Sequence, residues 1–282
     1  FARRGAGVEV LEQSPEIAEV GAGIQVSPNG MRVLSALGLE DAVAAASVVA
    51  EAVEPMDART GRPVTRFDLT GLDGPPYRFF HRADLIGLLH AACLEAGVTV
   101  TLGVSVTEPP EADIVVGADG IHSALRPWIG NDESTDFMGA VAWRAVIERE
   151  AEPVARVWMA PGRHVVTYPM TKGRFNVVAV QERQQWAAEG WNHSDDPGNM
   201  RAAFAGLTGR LTGILGQVEQ VALWGLFRHP IARTWTDGKL ALLGDAAHPT
   251  LPFLAQGANL ALEDAWTLAR MWADDTLDAY AA

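Results

Sequence analysis

Residues 240–265 read LALLGDAAHPTLPFLAQGANLALEDA. An apolar run from Leu240 to Leu243 stops at Gly244-Asp245, and a second apolar segment starts after Gly257. Two prolines, a histidine and a glutamine lie between them, with no lysine or arginine. The first run is short and fully apolar, as a buried strand is, and the second has helical spacing. The strand therefore delivers the Asp245 carboxylate to its carboxyl end, where open α/β sheets bind ligands. An ionised carboxylate only accepts hydrogen bonds and suits a hydroxyl-rich chain. The helix start at Gly257-Ala258-Asn259 offers unpaired N–H groups and the positive end of a helix dipole. A capping aspartate and a glycine turn would explain each residue singly, but not their combined layout.

Outward from this stretch the chain has two textures. Strand-like VEVL (8–11), VTVTL (98–102) and ADIVVGADG (112–120) alternate with helix-like segments. RADLIGLLHAACLEAG spaces its apolar residues as a helix ended by Gly97, and another helix is predicted from about Met31 to Leu37. EVGAGIQVSPNG reads as a glycine-rich loop, and Thr60-Gly61 as the turn of a hairpin. The alternation predicts a mainly parallel sheet. From about Phe137 to Trp235 short β-branched and aromatic runs predict an antiparallel sheet, helical only from Arg201 to Leu215. Trp143 is expected inside that sheet. A βα domain with a β-rich insertion follows: residues 1–50, 80–135 and 237–282 as one unit, residues 51–79 and 136–236 as the other.

The 282 residues carry a net charge of −13 and no long basic stripe, which argues against nucleic acid or stable membrane association. The single cysteine, Cys93, excludes an intrachain disulfide and a cysteine-rich metal site, and fits a cytoplasmic location. No metal-ligand pattern stands out. A homodimer is compatible with the sequence. FARRGAGVEVLEQ starts in mid-element, so an upstream segment is expected.

Two further segments point to a nucleotide. VEVLEQ ends a strand on Glu12 and Gln13, where doubly wound domains hold a ribose-binding acid; a solvated surface glutamate is the plainer reading. ADIVVGADGIHSALR opens from a strand into Gly117-Ala118-Asp119-Gly120 and a short helix start, a turn suited to an anion or one merely capped by Asp119.

These segments, in this order, resemble the single-component FAD-dependent aromatic hydroxylases, such as salicylate and 3-hydroxybenzoate hydroxylases. IVVGADGIHSALR is similar to their Asp-Gly motif and LLGDAAHPTLPFLAQGANLALEDA to their Gly-Asp motif. The family's amino-terminal Gly-x-Gly-x-x-Gly and much of a hairpin before ADIVVGADG are missing. The resemblance implies a Rossmann-like FAD-binding domain of the para-hydroxybenzoate hydroxylase-like fold with a β-rich substrate domain inserted. It implies that NADH or NADPH reduces FAD, that O2 reacts at the flavin C4a position, and that an electrophilic OH reaches a small aromatic acid. Salicylate is the first substrate expectation, with 3-hydroxybenzoate and hydroxynicotinate as alternatives. A non-hydroxylating reductase or oxidase of the same fold is the competing class.

Carried over residue by residue, the resemblance puts Glu12 and Gln13 at the adenosine ribose and Val106 at the adenine. Asp119 would order the pyrophosphate region and Asp245 would hold the ribitol. Arg82 and Gln25 would lie near the flavin, with Pro252 and Gly257 to Asn259 facing its ring. His248 reads as structural. In GRHVVTYPM, His164 and Tyr168 are four apart and so share a strand face. The family's similar His-x-x-x-Tyr makes them the expected catalytic pair, although two such residues often only pack together. Phe253 and Gln256 are expected on the substrate side.

Overall fold

The computed structural model describes residues 1–17, 22–131, 135–184, 193–252, 255–274 and 276–280. In chain order its first elements are β1 (Glu9–Glu12), β2 (Gly23–Val26), α1 (Pro28–Ala36), α2 (Glu40–Ala46), β3 (Ser47–Val49) and β4 (Ala52–Asp57). Then come β5 (Phe67–Asp68), β6 (Arg78–His81), α3 (Arg82–Glu95), β7 (Thr99–Leu102) and β8 (Val115–Gly117). The β-rich stretch supplies β9 (Asp136–Glu148), β10 (Val154–Ala160), β11 (Arg163–Pro169), β12 (Arg174–Glu182) and β13 (His193–Asp195). Last are α4 (Pro197–Ala203), α5 (Gly209–Leu215), β14 (Val221–Arg228), β15 (Leu240–Leu242) and α6 (Gly257–Ala273).

The two textures fall into different sheets. One eight-stranded sheet has the order β13-β14-β9-β12-β11-β10-β4-β5, antiparallel except where β10 meets β4. The βα texture yields parallel pairs, β1 with β7 and β8 with β15. The expected mainly parallel sheet is thus, among the described residues, two separate parallel pairs. Beside them stands the antiparallel trio β2-β6-β3.

Four local expectations need correction. The stretch read as a glycine-rich loop contains β2, whose pairing with β6 runs from Gly23 opposite His81 to Val26 opposite Arg78. Buried Phe79 and Phe80 supply the partner that the loop composition conceals. The helix after it starts earlier than predicted because Pro28 fits the first helical turn. Arg201–Leu215 is two helices rather than one, interrupted where Gly206 takes φ +77°. After Asp119 only a 3-10 turn forms, at Arg126–Ile129.

The large sheet buries one face under α4 and α5. Trp143, Trp158, Val165 and Val177 meet Met200, Phe204 and Leu211 there. Trp143 is fully buried, as the sequence suggests, and its indole N–H donates to Asp195 at 2.7 Å. The other face turns toward β2 and the loop after β15: Leu251 packs on Ala142, Val180, Trp224 and Leu226. Among the described residues, no helix is long and apolar enough to cross a membrane.

Candidate active site

The chain turns at Gly244 because its φ of +58° is left-handed and because a side chain there would meet Ala261, 3.1 Å from an added Cβ. Asp264 on α6 secures the turn. It accepts the Gly244 N–H at 2.8 Å and holds the His248 ring through Nε2. This contact, more than any other, raises the His248 pKa, and the Trp235 ring lies 5.0 Å from the imidazole. His248 is therefore a fastener of the motif.

The turn aims Asp245 at the start of α6. A Cβ built on Gly257 would lie 3.9 Å from Asp245 Oδ1 and 2.8 Å from Thr250 Oγ1. Burial pushes the Asp245 pKa up. The Thr250 backbone N–H and the charges of His248, Arg82 and His229 act in the opposite direction. A half-buried acceptor thus faces a glycine-led helix start, with cations around it.

The helix start is clamped in place. Ala255 takes a left-handed φ of +52°, a conformation costly for a residue with a side chain. Its carbonyl accepts from Asn259 Nδ2 at 2.8 Å. Fully buried Asn259 also donates to the Gln25 carbonyl at 3.2 Å and accepts the Ser27 N–H at 3.0 Å. Its side chain is thus engaged within the protein, leaving the backbone N–H groups of 257–259 as the donors a ligand would meet. Asn259→Ala takes a partner from the buried Ser27 N–H and from the partly buried Gln25 and Ala255 carbonyls. It is expected to lower unfolding free energy by on the order of 3 kcal/mol in urea titrations.

Gln256, expected on the substrate side, is turned toward α1. Its Nε2 donates to Ser27 Oγ at 3.1 Å, and its Oε1 accepts from Asn29 at 3.3 Å. Asn29 also donates to Glu263 at 2.8 Å, so the network sews α1 to α6. Pro252 is exposed on the intervening loop. Phe253 lies outside the described residues.

Arg82 opens α3, where its backbone N–H donates to the Ala22 carbonyl at 2.8 Å, and its charge reaches Asp245. Gln25 on β2 accepts from the Tyr77 hydroxyl at 2.8 Å and shares a hydrogen bond with Tyr168. Burial raises the Tyr77 pKa to about 12. Glu12 ends β1 with Oε1 accepting the Ser14 N–H at 2.7 Å, and exposed Gln13 follows it. The Glu12 carbonyl accepts the Val104 N–H at 2.9 Å, which brings the segment carrying Val106 alongside. Val106 in turn packs on the cluster around Leu125. Exposed Asp119 accepts the Leu125 N–H at 3.2 Å, the plainer of its two readings.

His164 and Tyr168 share a face of β11, and that face looks toward β2 and Leu251. Tyr168 is packed 5.0 Å from Phe79, and a Cβ on Gly23 would fall 2.5 Å from its hydroxyl. Burial foremost raises its pKa, whereas burial lowers that of His164. At neutral pH the pair is therefore a neutral imidazole and a protonated phenol. Sequence reasoning missed Asn176, opposite Tyr168, whose Oδ1 accepts the Gly23 N–H at 2.9 Å. A lone amide within the apolar run RFNVVAV was the available signal.

Together these groups fit a flavin cofactor on structural grounds. A glycine-led helix start lies opposite a half-buried carboxylate, and an acid ends the parallel strand β1. Residues 95–276 match the family described as FAD binding domain. The 3-amino-4-hydroxybenzoate 2-monooxygenase of Streptomyces platensis is 37% identical over 302 residues, 97% of this chain and 76% of that protein. The 3-hydroxybenzoate 6-hydroxylase 1 of Aquipseudomonas alcaligenes is 32% identical over 298 residues, 95% of this chain and 75% of that protein. Among solved structures, an HpxO variant of Klebsiella pneumoniae complexed with FAD aligns with TM-score 0.85 and 25% identity, covering 99% of this chain and 79% of that one.

Proposed function

The chain belongs to the FAD-dependent aromatic monooxygenases, and from that premise we propose that it uses NADH or NADPH and O2 to hydroxylate a phenolic aromatic acid. Its relatives named above act on hydroxybenzoates, so a 3-hydroxybenzoate-like acid ranks ahead of salicylate. The observation that carries the reading is the meeting of Asp245 and Gly257 beside a sheet face bearing His164 and Tyr168.

In this reading residues 1–50, 80–135 and 237–282 form the cofactor unit. Asp245 holds the ribitol, Glu12 and Gln13 the adenosine ribose, Val106 the adenine, and Asp119 the pyrophosphate region. Arg82 and Gln25 lie near the flavin, and Pro252 with the N–H groups of Gly257, Ala258 and Asn259 faces its ring. Held by these residues, FAD would supply the redox chemistry, hydride acceptance and O2 activation, that the side chains themselves lack.

The chain's own residues prepare the substrate. His164, kept neutral by burial, accepts the phenol proton on a ring nitrogen, which makes the ring electron-rich. Tyr168 retains its proton and orients the phenol oxygen by donating to it. Ala142, Val180, Trp224 and Leu251 keep water from this space.

The test adds 3-hydroxybenzoate, 3-amino-4-hydroxybenzoate or 6-hydroxynicotinate to FAD-loaded protein and follows NADH and NADPH oxidation together with product. Stimulated oxidation with a hydroxylated product is expected for at least one acid. Oxidation that yields peroxide but no hydroxylated product with any of them favours the competing oxidase or reductase class.

A further inference from the structure

We propose that Arg144 anchors the carboxylate of the substrate, so that the phenol end of the acid lies between His164 and Tyr168. This inference rests on the phenolic-acid reading above and adds a residue that decides which acids are accepted.

Strand register places the three residues on one surface. Residues paired directly across antiparallel strands share a face. One row runs Trp224, Ala142, Val180, His164, Met159 across β14, β9, β12, β11 and β10. The next runs Ala222, Arg144, Val178, Val166, Val157. The third holds Val146, Asn176 and Tyr168. Arg144 is the one permanently charged side chain in these rows. Its nearest neighbours in these rows are alanine, valine and tryptophan, and it stands two strands away from β11. Adjacent strands lie about 4.8 Å apart, so the lateral separation is roughly 10 Å. A benzoate ring carrying its acid and its hydroxyl meta or para to one another, with the reach of the arginine side chain, bridges such a gap. Leu251, from the loop between Asp245 and Gly257, packs against this floor. The surface therefore faces the candidate flavin site.

The chemistry suits an anion. The Arg144 guanidinium carbon lies 4.4 Å from the centroid of the Trp224 ring, a cation–π contact that partly offsets the cost of a charge on an apolar floor. Stacking uses the flat face of the guanidinium, whereas a carboxylate is gripped through its edge by paired N–H donors. The Arg144 charge also acts on the Tyr168 phenol, so both groups look into one space. Arg82 and His229 lie toward Asp245, and burial keeps His164 neutral. A chain with net charge −13 gives an organic acid no long-range attraction, so a local cation must supply it.

The test compares 3-hydroxybenzoate, 3-amino-4-hydroxybenzoate and 6-hydroxynicotinate with their carboxamides, which keep the ring hydroxyl but lack the anion. Binding to the FAD-loaded full chain is measured by calorimetry for wild type, Arg144→Met and Arg144→Lys. Arg144→Met is expected to weaken the preferred acid by roughly 30-fold or more while its amide changes less than about threefold. Arg144→Lys, with a charge but no fork, should fall between. Equal weakening of acid and amide would mean that Arg144 only packs on Trp224, and overturns the anchor alone. So does a preference for acids that survives in Arg144→Met. If that variant does not fold, the acid-to-amide ratio of Arg144→Lys decides, and a ratio unchanged from wild type overturns the proposal. Wild type that binds neither acids nor amides overturns the phenolic-acid reading and the anchor with it.

Discussion

Asp245→Ala is expected to give a folded protein that emerges from desalting without FAD. The side chain lies in the turn after β15, where the Thr250 N–H is its neighbour, while Asp264, His248 and Asn259 supply the wider clamp of the motif. Its role is as acceptor, and a charged acceptor contributes about 1.5–3 kcal/mol per hydrogen bond. Two such bonds to a ribitol would weaken affinity by roughly two to four decades on removal. The 450 nm to 280 nm absorbance ratio and a fluorescence titration with FAD measure this. Stability should move the opposite way. Burial raises the folded-state pKa of Asp245 above its ordinary value near 3.8, so the folded protein holds this proton more tightly than the unfolded chain. Ionisation therefore removes stability as pH rises from about 3.8 through the raised value. Asp245→Asn, which cannot ionise, should make the FAD-free protein melt higher than wild type at neutral pH while binding FAD less well. An alanine variant retaining FAD at wild-type stoichiometry would overthrow the assignment of this site.

The second large effect is expected from His164→Ala. General-base assistance accounts for about 10²–10⁴ in rate, and hydroxylation should slow by that amount. FAD affinity should change by less than about threefold, because in this reading His164 meets the substrate and Asp245 the cofactor. The pH profile separates catalysis from packing. Burial lowers the His164 pKa below 6.5, so the neutral, proton-accepting form dominates at and above neutral pH. The wild-type rate should hold through neutral pH and fall as acid is added through the lowered pKa. That acid limb should be absent from the alanine variant. Parallel loss of hydroxylation and FAD binding would contradict the base role.

Much of this was legible before any coordinates because it depends on short-range backbone chemistry. Gly244-Asp245 at the end of an apolar run, the glycine-led start of α6, the Thr60-Gly61 turn and the Gly97 helix stop are each specified within a few residues. The shared face of His164 and Tyr168 follows from the two-residue period of a strand. β2 was concealed because its glycines read as a loop. It is a strand because Phe79 and Phe80 on β6 bury against it, and Gly23 lacks the side chain that would collide with Tyr168. Gln256 could be assigned to a helix start, but not given a direction. Ser27 and Asn29, more than 220 positions earlier, turn its amide toward α1.

By itself, then, the sequence determined the local geometry: where strands end, where helices begin, and which carboxylate stands at the junction. Backbone dihedral preferences and the positions of glycine and proline decide these matters within one or two turns of chain. Only the tertiary structure brought Arg144, Asn176 and Tyr168 onto one floor and set Leu251 against it. Those meetings depend on register across four strands, which is fixed by burying Trp143, Trp158 and Val165 on the opposite face. No local pattern encodes which distant residue a buried surface will bring alongside.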